Sequence, residues 1–153
     1  IHKECDRLYK EQVIAKDANS EWAAPTFIFP KKEGTIRFIT DFRQLNRALK
    51  HKPFPIPNIQ DILQKLGGFT YATALDLNMG YYNIRLDKAS SVLCMLILPW
   101  GTYQYLRLPM GIKNSPDIFQ EKISELMTGL EDYIRAYLDD ILIITKGTYE
   151  DDL

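Results

Sequence analysis

The sequence predicts an α+β fold, an antiparallel sheet with helices packed on one face. Two observations carry this expectation. Apolar, β-prone runs come in pairs joined by short turn-forming stretches: "APTFIF" with "TIRFIT", "SSVLCMLIL" with "TYQYLRLP", and "DYIRAYL" with "ILIIT". Two further segments, "NIQDILQKLGG" and "NSPDIFQEKISELMTGL", space apolar residues at helical intervals between a cap and a glycine stop. Runs of antiparallel strand with helices laid on one face give such a domain. At 153 residues, 46% hydrophobic and 25% charged, the chain is long enough for one ordinary core and too apolar for disorder.

Taken in order, "KECDRLYKEQVIAK" places Leu8, Val13 and Ile14 on a loosely helical spacing and predicts a helix ending before "DANSEW". The first hairpin follows, with basic residues at its "PKKEG" tip and on its second strand. "HKPFPIP" carries Pro53, Pro55 and Pro57 at alternate positions, which forces an extended, hinge-like connector between two subregions. The next helix has Asn58 as N-cap, Ile59, Ile62, Leu63 and Leu66 as its apolar stripe, and Gly67 as its stop. "FTYATALDL" reads as a strand ending at Asp76, and "PWG" joins the second hairpin. The last helix takes Ser115 as N-cap, Pro116 at its first position, Asp117 in its first turn and Gly129 as its stop. "DYIRAYL" and "ILIIT" close the chain, leaving Asp139 and Asp140 in a tight turn.

Composition narrows the setting. Cys5 and Cys94 lie far apart without metal-ligand spacing, so neither a zinc site nor a disulfide framework is suggested. The longest apolar run, "VLCMLILPW", is too short to span a membrane, and charges interrupt the opening "IHKECDRLYKEQ" where a signal peptide would be apolar. The expectation is a soluble intracellular protein with no membrane partner. A net charge of −1 argues against nucleic-acid binding, but the distribution is uneven. Seven basic residues stand against two acids between Lys31 and Lys52, whereas beyond Lys65 seven Lys/Arg face twelve Asp/Glu. On charge alone, a solvated basic loop explains this as well as a phosphate-binding surface, and better.

Asp139 and Asp140 taken alone also have a local explanation, because aspartates hydrogen-bond the backbone of turns. Asp76 changes the balance, since it too ends an apolar strand. If the two strand ends are neighbours, three carboxylates converge at one sheet edge, where unpaired like charges raise one another's pKa. A divalent cation relieves this, and oxygen-only ligands select magnesium or manganese over zinc. Two such ions suit phosphoryl transfer.

At these residues a resemblance appears. "YLDDILI" resembles the Y-x-D-D motif of reverse transcriptases, and "ATALDLNMGYYNIRL" is similar to the aspartate-bearing strand and turn of their palm. "LPMGIKNSPDIFQ" resembles their LP-x-G-x-x-x-SP-x-x-FQ segment, and "RFITDFRQLN" the fingers sequence ending in DFRxLN. The four motifs occur in the family's order and together resemble the reverse transcriptases of Gypsy-like LTR retrotransposons. The resemblance implies a fingers and palm fold, with fingers over 1–57, a part of the fingers returning at 84–109, and palm over 58–153. It further implies that the family's thumb, connection and RNase H domain lie outside this chain.

The activity implied is that of an RNA-/DNA-directed DNA polymerase joining a deoxynucleotide (dNTP) to a primer 3′-hydroxyl on an RNA or DNA template. Asp76, Asp139 and Asp140 would form the catalytic cluster. Asp76, Asp139 and the carbonyl of Leu77 would hold two Mg²⁺ ions, with Mn²⁺ able to substitute. Arg37 with Lys31 or Lys32 would grip the triphosphate, a donor fork and point charges suiting phosphate oxygens; register favours Lys31. Tyr81 would exclude a ribose 2′-hydroxyl, while Tyr82 packs. Gly111 would let the backbone pass close to the nucleotide; beside it Met110 departs from the Gln of retroviral enzymes, as Gypsy-like relatives commonly do. Asp41, Phe42, Arg43 and Asn46 are read as structural, with Asp41 pairing a neighbouring base, and Phe119, Trp22 and Trp100 as packing. His2 and His51 carry no assigned chemistry. Without a thumb, affinity for primer–template is expected to be poor. The resemblance places the parent polyprotein in cytoplasmic virus-like particles, and a sheet edge left open makes dimerisation a further expectation. Two other readings stand beside this one: a non-catalytic nucleic-acid-binding relic of the fold, and an assembly domain with incidental acidic turns.

Overall fold

The computed structural model describes residues 2–146 apart from 18, 19, 33, 66, 69 and 78. The chain divides into two compact units, Ile1–His51 with Tyr81–Ser115, and Lys52–Gly80 with Pro116–Leu153. Where the sequence places one boundary after Pro57 and a return at 84–109, the divisions fall after His51, Gly80 and Ser115. The first lies at the head of the proline-rich connector, which forms no helix or strand before Ile59.

In the first unit, α1 (His2–Lys10) leads into β1 (Ile14–Lys16), β2 (Ala23–Pro30), β3 (Ile36–Thr40), α2 (Arg43–Ala48), α4 (Lys88–Ser91), β5 (Met95–Leu98) and β6 (Gly101–Tyr105), with α3 (Ile59–Lys65) and β4 (Tyr71–Asp76) belonging to the second unit. The strands form one sheet in the order β1-β6-β5-β2-β3. The predicted first helix is thus too long. Gln12 adopts a φ of 55° and reverses the chain, and Ile14 pairs with Tyr105 in β1. Val13 and Ile14 are β-branched and almost fully buried there, so the sheet satisfies them better than another helical turn would.

The strand expected over "SSVLCMLIL" is also shorter than its apolar run. Asp87 caps α4 by accepting the Ser90 N–H at 2.7 Å, and β5 begins only at Met95. The expectation of an antiparallel sheet needs one amendment, because β2 and β5 pair in parallel, Ala24 opposite Leu96. α2 was not expected as a helix. The Asp41 carboxylate starts it by accepting the Arg43 backbone N–H at 3.1 Å while pairing the same residue's guanidinium at 2.6 Å. That pairing holds the Asp41 carboxyl down at about 2, the side-chain bond to Arg43 being the largest cause. The core gathers Leu8, Ile14, Phe42, Leu45, Leu96 and Tyr105, with Trp22, Tyr82 and Trp100 packed against it.

In the second unit, β4 (Tyr71–Asp76), β7 (Ile134–Tyr137) and β8 (Asp140–Thr145) form a sheet in the order β4-β8-β7, with α3 (Ile59–Lys65) and α5 (Ser115–Leu126) alongside in sequence. Asn58 Oδ1 accepts the Gln60 N–H at 2.9 Å, the expected cap of α3. Leu66, expected on its apolar stripe, lies outside the described residues. Ser115 does not cap α5 through its hydroxyl, which donates to the Pro109 carbonyl at 2.8 Å. Ile62 and Ile144 are buried together, with Tyr137 and Leu142 against them. Among the described residues no helix is long and apolar enough to cross a membrane.

Candidate active site

The sheet of the second unit brings the acidic strand ends together. β4 and β8 are antiparallel, and the last residue of one faces the first of the other, Asp76 opposite Asp140. Directly opposed residues project from the same face, so two carboxylates of like charge are cross-strand neighbours, an unfavourable pairing in a sheet built only for stability. The Leu77 N–H donates to the Asp139 carbonyl at 2.8 Å and carries the pairing one step past the strand.

The turn itself differs from expectation. Tyr137 pairs with Asp140, so the two loop residues are Leu138 and Asp139 rather than the two aspartates. Leu138 has a φ of 51°, the left-handed region that hairpin turns of this length require and that glycine or asparagine usually fills. Asp140 therefore belongs to the strand and faces with Asp76, whereas Asp139 sits in the turn, half-buried. The expected convergence of three carboxylates at the sheet end is accordingly a registered pair plus a turn residue. Among the described residues, no group of three or more His, Cys, Asp or Glu is disposed to hold a metal ion. Sequence neighbours at a turn diverge, so three ligands are not gathered in advance.

Asp139 sits in a perturbing environment. Burial is the largest cause holding its pKa above the ordinary carboxylate value, followed by the charges of Asp140 and Asp76. Its Oδ1 is buried and accepts no hydrogen bond from the described residues. A buried carboxylate oxygen without a donor is costly unless a cation completes it. The Leu77 carbonyl accepts the Gly80 N–H at 2.9 Å and keeps a second lone pair. Oxygen donors of this kind fit a hard divalent cation.

Two supports of this end of the sheet carried no assigned role in the sequence. Gly80 begins a short 3-10 turn, Gly80–Asn83, where an added Cβ would lie 2.8 Å from Cζ of buried Phe119. Gln120, on α5, donates to the Ala136 carbonyl at 3.1 Å and accepts the Leu138 N–H at 3.0 Å. A polar residue on the buried face that Phe119 and Ile123 occupy is the signal that could have drawn attention to it.

The residues expected to bind the nucleotide all lie in the first unit. Arg37 on β3 faces Phe29 across the hairpin, and pleat alternation puts Lys31, two residues beyond Phe29, on that same side. The Lys31 N–H extends the ladder to the Thr35 carbonyl at 2.7 Å, whereas Lys32 occupies the loop. Both lysines and Arg37 are exposed. The Arg37 guanidinium donates to Met110 Sδ at 3.4 Å, so two of the expected residues meet. Gly111, next in sequence, has a φ of 93°. The Asn46 amide holds this loop at both ends, donating to the Gly111 carbonyl at 2.8 Å and accepting the Lys113 N–H at 2.7 Å. Tyr81 is 7% exposed, most of its ring covered by protein, and Tyr82 stacks 6.4 Å from Tyr105 on the core.

Comparison with known proteins adds an independent line. The family described as reverse transcriptase (RNA-dependent DNA polymerase) matches residues 29–152. The chain is 36% identical over 138 residues to the Transposon Tf2-3 polyprotein of Schizosaccharomyces pombe, covering 90% of this chain and 10% of the polyprotein. It is 34% identical over 145 residues to the retrovirus-related Pol polyprotein from transposon 297 of Drosophila melanogaster, covering 91% and 14% respectively. Among solved structures it is similar to the foamy viral protease-reverse transcriptase in complex with an RNA/DNA hybrid. That match has a TM-score of 0.86 at 26% identity, over 97% of this chain and 20% of the other.

Proposed function

The chain belongs to the reverse transcriptase family, and we propose that it carries the nucleotidyl-transfer centre of an RNA-directed DNA polymerase, with Asp76, Asp139 and Asp140 as its acidic residues. The observation that carries this reading is the buried, donor-less Oδ1 of Asp139 beside the registered pair of Asp76 and Asp140. Asp76 and Asp139, with the Leu77 carbonyl, would hold Mg²⁺. When bound, such ions lower the pKa of an attacking hydroxyl and neutralise charge on the leaving oxygen.

The reaction joins the primer 3′-oxygen to the α-phosphorus of a deoxynucleotide and breaks the bond to the β-phosphate, releasing pyrophosphate. The chain's own residues would bind and orient. Arg37 and Lys31 share one face of the hairpin and supply a planar fork and a point charge for triphosphate oxygens. Lys32, in the loop, is the weaker candidate. Gly111, at a φ of 93° that glycine takes readily, would turn the backbone towards the nucleotide, and Met110 packs on Arg37 in place of a side-chain hydrogen bond to substrate. Tyr81 would test the sugar for a 2′-hydroxyl; a ring this closely packed holds its position, as a steric gate must. An RNA or DNA template with its primer is the partner class, supported by the relative solved on an RNA/DNA hybrid.

Single-nucleotide primer extension on RNA and DNA templates with Mg²⁺ or Mn²⁺ tests this, comparing the chain with Asp139→Asn. Extension that disappears in the variant is the expected result. Extension of equal rate in both would overturn the assignment, and a failure of both to extend while Mn²⁺ still binds would favour a non-catalytic relic of the fold.

A further inference from the structure

Gln120 has no place in the reaction as described, yet it is 2% exposed, and a glutamine is buried so deeply only when both ends of its amide find partners. Its partners explain why. β7 is an edge strand of its sheet. Tyr137 and Asp140 flank the turn and pair with each other, so the backbone groups of Ala136 and Leu138 point away from β8, off the open edge. There the Gln120 amide gives its N–H to Ala136 and takes the N–H of Leu138, the two bonds that one residue of a neighbouring strand would make. Only a planar group that donates at one atom and accepts at the other serves both. Leu or Met serves neither, Lys only donates, and an ionised Glu only accepts.

The residue so held is the least comfortable of the hairpin. Leu138 sits in the left-handed region without being glycine, a conformation that persists only where its surroundings over-determine it. The next residue is Asp139, whose carbonyl receives the Leu77 N–H. A continuous path of bonds therefore runs from Gln120 through Leu138 and Asp139 to Leu77. We infer that Gln120 is a positioning residue: its side-chain amide locks Leu138 in the left-handed conformation and so fixes where Asp139 presents its carboxylate relative to Asp76. The purpose of that positioning rests on the polymerase reading above.

Native-state amide exchange by NMR on the whole chain tests the inference, using Gln120→Met, which keeps length and deletes both bonds. The amides of Leu138 and Leu77 should lose about tenfold or more of their protection, while the centre of the β4–β8 ladder keeps its own. A second variant, Gln120→Glu, supplies the rescue. At about pH 5 a buried, neutral carboxyl can donate and accept as the amide does, and near pH 8 it cannot, so protection at Leu77 should follow pH in this variant alone. Unchanged protection at Leu77 in Gln120→Met, or an equal loss at every amide of the sheet, would overturn the inference. Mn²⁺ titrations followed by paramagnetic broadening should show about tenfold weaker binding in Gln120→Met, a change of ~1.4 kcal/mol. Equal affinity despite a loosened Leu77 would also overturn it. Absence of Mn²⁺ binding to the wild-type chain would strike the metal reading instead, and the exchange pattern would still decide the role of Gln120.

Discussion

Gly80→Ala should destabilise the unit that carries the acidic turn by about 1–2 kcal/mol. The backbone at Gly80 is not left-handed, so the cost is one of space alone. A Cβ there would stand 2.8 Å from Cζ and 3.0 Å from Cε2 of Phe119, and 3.2 Å from Cβ of Leu77. Neither neighbour gives way easily. Phe119 is 2% exposed and enclosed by its surroundings, and the Leu77 Cβ is tied directly to the backbone whose N–H meets Asp139. Overpacking of a well-filled site costs ~1–3 kcal/mol, from which the smaller entropy of an unfolded alanine returns ~0.5–1 kcal/mol. For a chain of this length the remainder corresponds to a fall in Tm of about 2–8 °C. Thermal unfolding followed by circular dichroism measures it, and a second substitution makes the test specific. Phe119→Leu removes the ring atoms in the way, so the double variant should be less destabilised than the sum of the singles, by about 1 kcal/mol. A Gly80→Ala protein that melts with the wild type, or strictly additive losses, would refute the close approach of α5 to this turn.

Three further outcomes are expected. Asp139 has a raised pKa in the folded chain, through burial first and then the charges of Asp140 and Asp76; its contribution favours folding below the unfolded value and is lost as pH rises through the folded one. At neutral pH the ionised carboxylate therefore opposes folding, and Asp139→Asn should raise Tm in EDTA, with the gap closing as pH falls, while Mg²⁺ should raise Tm in the wild type only. Asn46→Leu leaves the Gly111 carbonyl and the Lys113 N–H without their partner, at about 1–3 kcal/mol; steady-state kinetics should show a higher KM for the nucleotide with kcat less affected. Tyr81→Ala should admit ribonucleotides in primer extension and lose about 3 kcal/mol or more with its buried ring, and unchanged sugar discrimination would remove Tyr81 as the gate.

Much of the candidate site is legible in the sequence because its signals are local. The strand ends at Asp76, the terminal hairpin and the basic tip of the first hairpin each follow from a few adjacent residues, and register then did the rest. What escaped was set by contacts between distant segments. Val13 and Ile14 suit a helix or a strand equally until β6 offers Ile14 a partner at Tyr105. The sequence puts Asp139–Asp140 in the turn because "YIRAYL" and "ILIIT" are each of strand length and aspartate favours turns; in the structure the turn is Leu138–Asp139, with Leu138 held by Gln120 from another element. Gln120 was visible only as the last letter of a motif. Its role depends on an open strand edge that no stretch of α5 encodes.

The same end of the sheet breaks three folding rules at once, and that coincidence weighs against incidental acidity. A hairpin selected for stability alone would carry glycine or asparagine at 138, where the chain holds leucine at a φ of 51°. It would not leave a carboxylate oxygen buried without a donor, as at Asp139, and it would not set like charges opposite one another, as Asp76 and Asp140 are set. An acidic turn of purely structural origin explains aspartates that bond their own backbone, as Asp87 and Asp41 do elsewhere in this chain. It does not explain an aspartate whose buried Oδ1 accepts nothing from the described residues. Three separate costs within three consecutive positions and their cross-strand partner persist together only if something gained there offsets them. A cation taken up between Asp76 and Asp139, as proposed above, would offset all three, with the strained Leu138 setting the angle and Gln120 holding it.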